Sequence, residues 1–243
     1  MTIKAEIMIQ FNFPHNLFLK ITLLVLLWPC LTRASESPSS VRLFYEVKSS
    51  QLPFKINSQL DWIQTGKNYQ ATLIIQVLNI KRIQVSSGSI SSQGLVPQEF
   101  TSINKQKELA QFDWEKNSVD FKPPAPKITD LQNGAQDKLS VMLQIGRLLQ
   151  EHNPTVQIGQ VLNIQTIGSR GAEVREFKIV SNQQLQLPGG SLATVKVSTT
   201  SKDKNQTISF WISPKLHYLP VRILITESDG ASVDQQWVRS TRQ

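Results

Sequence analysis

Serine is the best supplied nucleophile in this chain, with Ser86, Ser87, Ser89, Ser91 and Ser92 in one short stretch. A serine attacks only when a base takes its proton and fixed donors receive the oxyanion. No Gly-x-Ser-x-Gly elbow occurs, and beyond residue 34 the imidazole bases are His152 and His217. Strand and turn composition accounts for the serines without catalysis. The two histidines lack His-x-His or His-Glu-x-x-His spacing, so no metal site is expected. Asp61, Asp113 and Asp137 each sit beside apolar residues. A glycosidase-type carboxylate pair is chemically open to them, although a half-buried Asp ordinarily serves a turn or a helix start. Gly189-Gly190 reads as a hairpin turn, and no phosphate-binding loop is visible. The sequence therefore predicts no catalytic residue, no metal and no cofactor.

The aromatic residues are more suggestive. Trp62, Trp114, Trp211 and Trp237 fall in or beside alternating segments. Trp211 shares a face with Thr207 and Ser209, away from Ile208, Phe210 and Ile212. That placement suits a wet cavity, a sugar platform or an interface, with packing as the plain alternative.

The elements that position these residues are mostly strands. Val41, Leu43, Tyr45 and Val47 alternate with polar residues, which gives a strand with one buried face. Tyr69, Ala71, Leu73, Ile75 and Val77 line one side of a second strand. Further alternation runs through 193–198, 207–212, 219–226 and 233–237, punctuated by turn residues such as Asp229-Gly230. The expected fold is mainly β: a curved, partly closed antiparallel sheet of about ten strands with one amphipathic helix packed on it. The helix is expected over residues 136–152. Leu139, Met142, Leu143, Ile145 and Leu149 recur at three- and four-residue steps, and Pro154 stops the run. Asp137 near its start suits the positive end of the helix dipole, and His152 the other end. Residues 122–127, rich in proline, form a stiff connector just upstream.

Residues 1–34 read as a secretory signal. A polar, mildly basic start leads to the apolar run 21–28, then Pro29, then the small residues Thr32 and Ala34. The run is too short to span a bilayer, which needs about 20 apolar residues. Cleavage after Ala34 is expected, with an uncleaved membrane anchor as the alternative. Residues 35–40 form a flexible lead-in, and 41–243 a single β-rich domain. The expected place of work is the periplasm, with the product soluble or peripheral to the membrane. Cys30, the one cysteine, lies inside the leader, so the exported part has no thiol or disulfide. The chain carries a formal net charge of +8, but its basic residues are scattered rather than concentrated in a run. That pattern gives no nucleic-acid site; an ordinary solvated basic surface accounts for it, with a weak attraction to anionic lipid head groups as the alternative.

Four further pieces occur in order. They are Gly94-Leu-Val-Pro-Gln-Glu-Phe100, Phe112-Asp113-Trp114, Gly134-Ala-Gln-Asp137-Lys-Leu-Ser140, and Trp211-Ile-Ser-Pro-Lys-Leu216-His-Tyr-Leu219-Pro220-Val221-Arg222. On these the chain resembles the bacterial exported domain-of-unknown-function family 3108, over about 41–237. The resemblance implies an envelope protein without established activity, and no piece is a known catalytic motif. A more distant, architectural likeness is to the periplasmic lipoprotein carriers and their outer-membrane receptors, whose curved unclosed sheet encloses an apolar cavity under helices.

Together these features point to a non-enzymatic carrier or binder of lipid or another apolar ligand. Leu139, Met142 and Leu143 on the helix, Leu73 and Ile75 on a strand, and Trp211 are the candidate ligand contacts. A structural or interaction protein of the cell envelope, partnered by other envelope proteins, is the alternative. A hydrolase of envelope polymers comes third. N-terminal sequencing of the envelope form should start near Ser35; an intact Met1 or Met8 on a cytoplasmic protein would overturn the export reading.

Overall fold

The computed structural model describes residues 40–104, 106–123, 125–152, 157–201 and 206–242. The leader expected at 1–34 lies outside the described residues. So does the lead-in except Ser40, which already belongs to the first strand.

Seven strands form the first meander: β1 (Ser40–Ser49), β2 (Ile56–Thr65), β3 (Asn68–Val77), β4 (Ile80–Ser91), β5 (Gly94–Ile103), β6 (Lys107–Asp113) and β7 (Ser118–Lys122). A two-residue strand, β8 (Gln136–Asp137), leads into helix α1 (Ser140–Glu151). A second meander follows: β9 (Val161–Gly168), β10 (Gly171–Leu187), β11 (Gly190–Ser201), β12 (Gln206–Ser213), β13 (Leu219–Glu227) and β14 (Ser232–Arg242). All belong to one sheet, ordered β7-β6-β5-β4-β3-β2-β1-β14-β13-β12-β11-β10-β9-β8. The first and last strands pair at its middle, and the two edges, β7 and β8, come from mid-chain.

The fold is mainly β with one α-helix, as the sequence predicts, but it has fourteen strands rather than about ten. Some of the strands lack clean alternation. β4 reads Ile-Lys-Arg-Ile-Gln-Val-Ser-Ser-Gly-Ser-Ile-Ser, and its first three residues are exposed. The ladder to each neighbour supplies the backbone hydrogen bonds that side-chain periodicity does not announce. Register shifts at Phe44/Tyr45, Ser87/Gly88, Ile179/Ser181 and Trp211/Ile212 mark bulges. Bulges bend strands and raise local twist, which is what curls so wide a sheet around a core.

Val41, Leu43, Tyr45 and Val47 of β1 are buried on the concave side, in the predicted alternation. The Tyr45 hydroxyl donates to the Pro220 carbonyl at 2.7 Å, joining β1 to the start of β13. On the convex side Arg42 holds Asp61 with two bonds, 2.7 and 2.9 Å long.

The helix is shorter than the sequence suggests, because Gln136 and Asp137 pair in parallel with Thr166 and Ile167 of β9. Asp137 therefore sits before the helix and caps it from outside. Its Oδ1 accepts the N–H groups of Leu139 and Ser140, both at 2.8 Å. At the other end the His152 Nδ1 lies 2.7 Å from the Leu148 carbonyl, the expected C-terminal capping role. A Cβ on Gly146 would run into the Tyr218 carbonyl, so the absence of a side chain there lets α1 rest directly on the β12–β13 turn. Leu139, Met142, Leu143, Ile145 and Leu149 are all buried. Leu149 is 1% exposed. Its truncation to Ala should cost about 2–5 kcal/mol, read as a lowered urea midpoint. Unchanged stability would mean that the stripe is not packed on the sheet.

Candidate functional site

The sheet is curved but not closed, so the gap between its β5 side and its β8 edge must be satisfied in another way. β6 pairs only with residues 99–103 of β5. The start of β5 therefore has peptide groups with no strand beside them, and buried peptide groups must find partners. Two glutamines supply them. The Gln144 Oε1 accepts the Leu95 N–H at 2.7 Å, and its Nε2 donates to the Gln93 carbonyl at 3.0 Å. The Gln136 Nε2 donates to the Leu95 carbonyl at 2.8 Å. A side-chain amide carries the same donor and acceptor as a peptide, so it can replace one. Gly94, at φ +108°, leaves the space that the Gln144 amide occupies. Gln165 does the same for the segment leading into β8, accepting the Gln132 N–H at 2.8 Å and donating to the Asp130 carbonyl at 3.0 Å. Pro97 offers no N–H, and its carbonyl takes the Trp114 indole N–H at 2.7 Å.

Asp137 completes the seam and is fully buried. The Ser86 hydroxyl donates to its Oδ2 at 2.6 Å, and the Tyr69 hydroxyl lies 3.0 Å from the Ser86 Oγ. Tyr69 in turn stacks on Trp62 at 5.5 Å. Burial pushes the Asp137 carboxyl above its ordinary range, against hydrogen bonds from Ser86, Ser140 and Leu139 that pull it down. Burial also raises the Tyr69 phenol, and the Asp137 charge adds to that. The Tyr-Ser-Asp chain has the residue types of a catalytic relay. None of the three lines the cavity described next, and Ser86 and Asp137 are completely buried.

The open space lies between α1 and the concave face. It is a cavity of about 650 Å³, within the range of ligand sites, roughly 300–1,000 Å³. Because neighbouring strands are antiparallel, the β3–β4, β5–β6, β9–β10 and β13–β14 turns share one end of the sheet. The N-terminus of α1 points to that end, and the cavity opens there. Leu139 and Met142, with Phe177 and Phe210, make its apolar interior. Gln84, Thr199, Gln206 and Gln235 are neutral polar residues of the lining. Arg82, Lys138, Arg170 and Arg175 stand among the lining residues with one acid, Glu173, which is bonded to Arg175 at 2.8 Å. Among the described residues no group of His, Cys, Asp and Glu could hold a metal ion.

The structure brings four of the six candidate contacts together. Leu139 and Met142 face Leu73 and Ile75 across the cavity. Leu143, one residue further round the helix, instead meets a crevice beside Trp62 and Tyr218. Trp211 is on the convex side, 4% exposed, packed with Leu187, Leu192 and Val221. Lys196 and Arg222, its cross-strand neighbours, lie 5.0 and 4.6 Å from its ring centroid. Asp234 holds Arg222 with two bonds of 2.8 Å. Trp211 faces away from the apolar set as expected, but a cation-covered cluster fills that side, not a wet cavity. The seam glutamines went unread, although Gln144 between Leu143 and Ile145 was a visible signal: a polar residue inside an apolar stripe.

Asp137 gives this site a pH signature. Its folded value lies above the ordinary 3.8. Between the two values the folded state holds a proton that the unfolded chain has released. This contribution to stability is full below the unfolded value and is lost as pH rises through the folded one. Asn in place of Asp137 mimics the protonated form and does not titrate. The stability of the parent relative to Asp137→Asn should therefore rise as pH falls from neutral toward 4, measured by urea midpoints. A difference that is flat, or that grows with pH, would contradict the assignment.

The comparisons with known proteins agree with this architecture. The fold is similar to the crystal structure of a β-barrel-like protein of domain-of-unknown-function family DUF1849 from Brucella abortus. The TM-score is 0.50 at 10% identity, over 85% of this chain and 98% of that one. No curated protein matches the chain. The model of the family described as "Protein of unknown function (DUF3108)" matches residues 44–235, which take in the seam and most of the cavity wall, and the chain belongs to that family.

Proposed function

We propose that this chain is an exported envelope protein that binds a lipid or another apolar ligand, without covalent chemistry, in the cavity between α1 and the concave sheet face. The observation that carries the reading is the mixed, largely apolar and cationic lining of that roughly 650 Å³ space. Apolar side chains line it together with neutral polar ones, and cations predominate among the charged groups. An acyl chain has the matching shape and polarity, because removing apolar surface from water is the main gain on binding and the polar groups only orient it. Met142, unbranched and polarizable, can adapt to chains of different form. The side chains that resemble catalytic groups are bonded to one another in the seam, away from this space. The leader-like layout of residues 1–34 supports a periplasmic address.

The test is displacement of an apolar naphthalene sulfonate dye by a fatty acid or a phospholipid. Met142→Trp fills the cavity and should weaken fatty-acid binding by about tenfold or more, which is about 1.4 kcal/mol. Its circular dichroism should stay that of the parent. A folded parent that binds no dye, or a Met142→Trp protein that binds fatty acid as well as the parent, would refute the proposal; the first result would leave an envelope scaffold in its place.

A further inference from the structure

The β3–β4 hairpin breaks two rules at one residue. Val77 pairs with Ile80, so the turn is the two residues Leu78 and Asn79. Leu78 takes φ +51°. The first position of such a turn favours Gly, and among other residues Asn or Asp, because a Cβ is crowded there. Leucine is a poor choice for the backbone, and its side chain is 73% exposed, the most of any large apolar residue among those described. Neither packing nor turn chemistry explains it.

The neighbours of Leu78 extend the pattern. Ile80 is 58% exposed, and Phe54, on the adjacent β1–β2 turn, is 41% exposed. Ile103 and Val233 are also exposed at this end of the sheet. The hairpin projects past β5, whose last residue, Ile103, pairs with Ile83. Three residues further out, at about 3.3 Å each, lies Ile80. The inner face of the hairpin is continuous. Leu73 and Ile75 line the cavity, and Val77 and Ile80 carry the same face beyond the mouth. An apolar track therefore runs from the cavity to the exposed tip.

The charges on the hairpin itself have one sign. Lys81 and Arg82 follow Ile80 directly, and no acidic residue occurs between Asp61 and Glu99. The acids of this end lie on other elements: Glu108 on β6, beyond β5, Glu173 on β10, and Glu227 and Asp229 at the β13–β14 turn, on the other side of β1. Lys55, next to Phe54, is bonded to Glu46 at 2.7 Å. Apolar tips flanked by cations suit the boundary of an anionic bilayer, where side chains enter the acyl region and basic residues meet phosphates. A protein partner would bring the same apolar surface but not a dense field of anions.

We infer that the β3–β4 hairpin docks this protein on an anionic membrane surface, with Leu78 and Ile80 inserted and Lys81 and Arg82 at the head groups. Docking in this way sets the mouth of the cavity against the bilayer. It does not require the cavity to be occupied, so it stands or falls separately from ligand binding.

The test uses protein purified from the host envelope and sedimentation with vesicles of phosphatidylcholine, alone or mixed with phosphatidylglycerol. Binding should be stronger to the mixed vesicles and should weaken as salt is raised. Leu78→Asn is the discriminating variant. Asn is better tolerated at positive φ, so the melting temperature should hold or rise. Vesicle binding should nevertheless fall by about tenfold, while dye binding in the absence of vesicles stays unchanged. Leu78→Trp should retain vesicle binding, with a blue-shifted tryptophan emission. The inference is overturned if the parent binds neither kind of vesicle. It is also overturned if Leu78→Asn binds as well as the parent, or if Leu78→Trp shows no shift in emission with mixed vesicles.

Discussion

Everything else in this molecule depends on a side-chain amide standing where a β-strand would be. A sheet that curls around a core without closing leaves peptide groups along its gap, and a buried peptide group left unpaired costs about 1–3 kcal/mol. A barrel solves this with one more ladder. Here the ladder is replaced by Gln144 and Gln136, which take the N–H and the carbonyl of Leu95. Both come from the segment that holds β8 and α1, so the bonds that finish the sheet also place the helix. Gly94 is part of the same device, because a side chain there would occupy the position of the Gln144 amide.

That placement explains why there is a cavity and where it lies. The start of α1 is tied to the seam by the hydrogen bonds of Asp137, and its later turns are pressed against Tyr218 at Gly146. A helix held at both ends cannot slide to fill the concave face. It covers the end of the sheet near Trp62 and Tyr218, and its first turn only borders the other end. The empty volume is thus a consequence of closing the seam with a fixed helix. An unpinned helix would drift toward the tightest packing, since interiors otherwise approach crystal density.

The sequence shows the parts of this design that follow a period. The buried face of β1 is legible from Val41, Leu43, Tyr45 and Val47, and the helix from its leucines, because burial on one side imposes a repeat of two or of about 3.6. It does not show how those faces are aimed. Leu143 and Met142 are adjacent in one apolar stripe, yet they meet different spaces, because the helix passes from the cavity to the closed end within a single turn. Trp211 was visible as a residue on the wrong face for the core. What covers it, Lys196 and Arg222 from the neighbouring strands, depends on cross-strand register. β4, held by ladders to β3 and β5, shows why a strand can escape such a reading: its backbone bonds do not require its side chains to alternate.

The same seam changes the meaning of the chemical-looking residues. A serine between a tyrosine and a carboxylate invites a catalytic reading, but such a reading needs a reacting group that substrate can reach. The Ser86 hydroxyl donates a hydrogen bond to Asp137 and lies beside the Tyr69 hydroxyl, and Ser86 is completely buried. The oxygens of Asp137 are taken by Ser86 and by the two N–H groups at the start of α1. The Gln-Asp-x-x-Ser piece at 136–140 and the Gly-Leu-Val-Pro piece at 94–97 therefore meet as the two sides of one closure. Polar residues gathered in this way in a protein interior hold a shape, and the shape they hold is the wall of the space beside them.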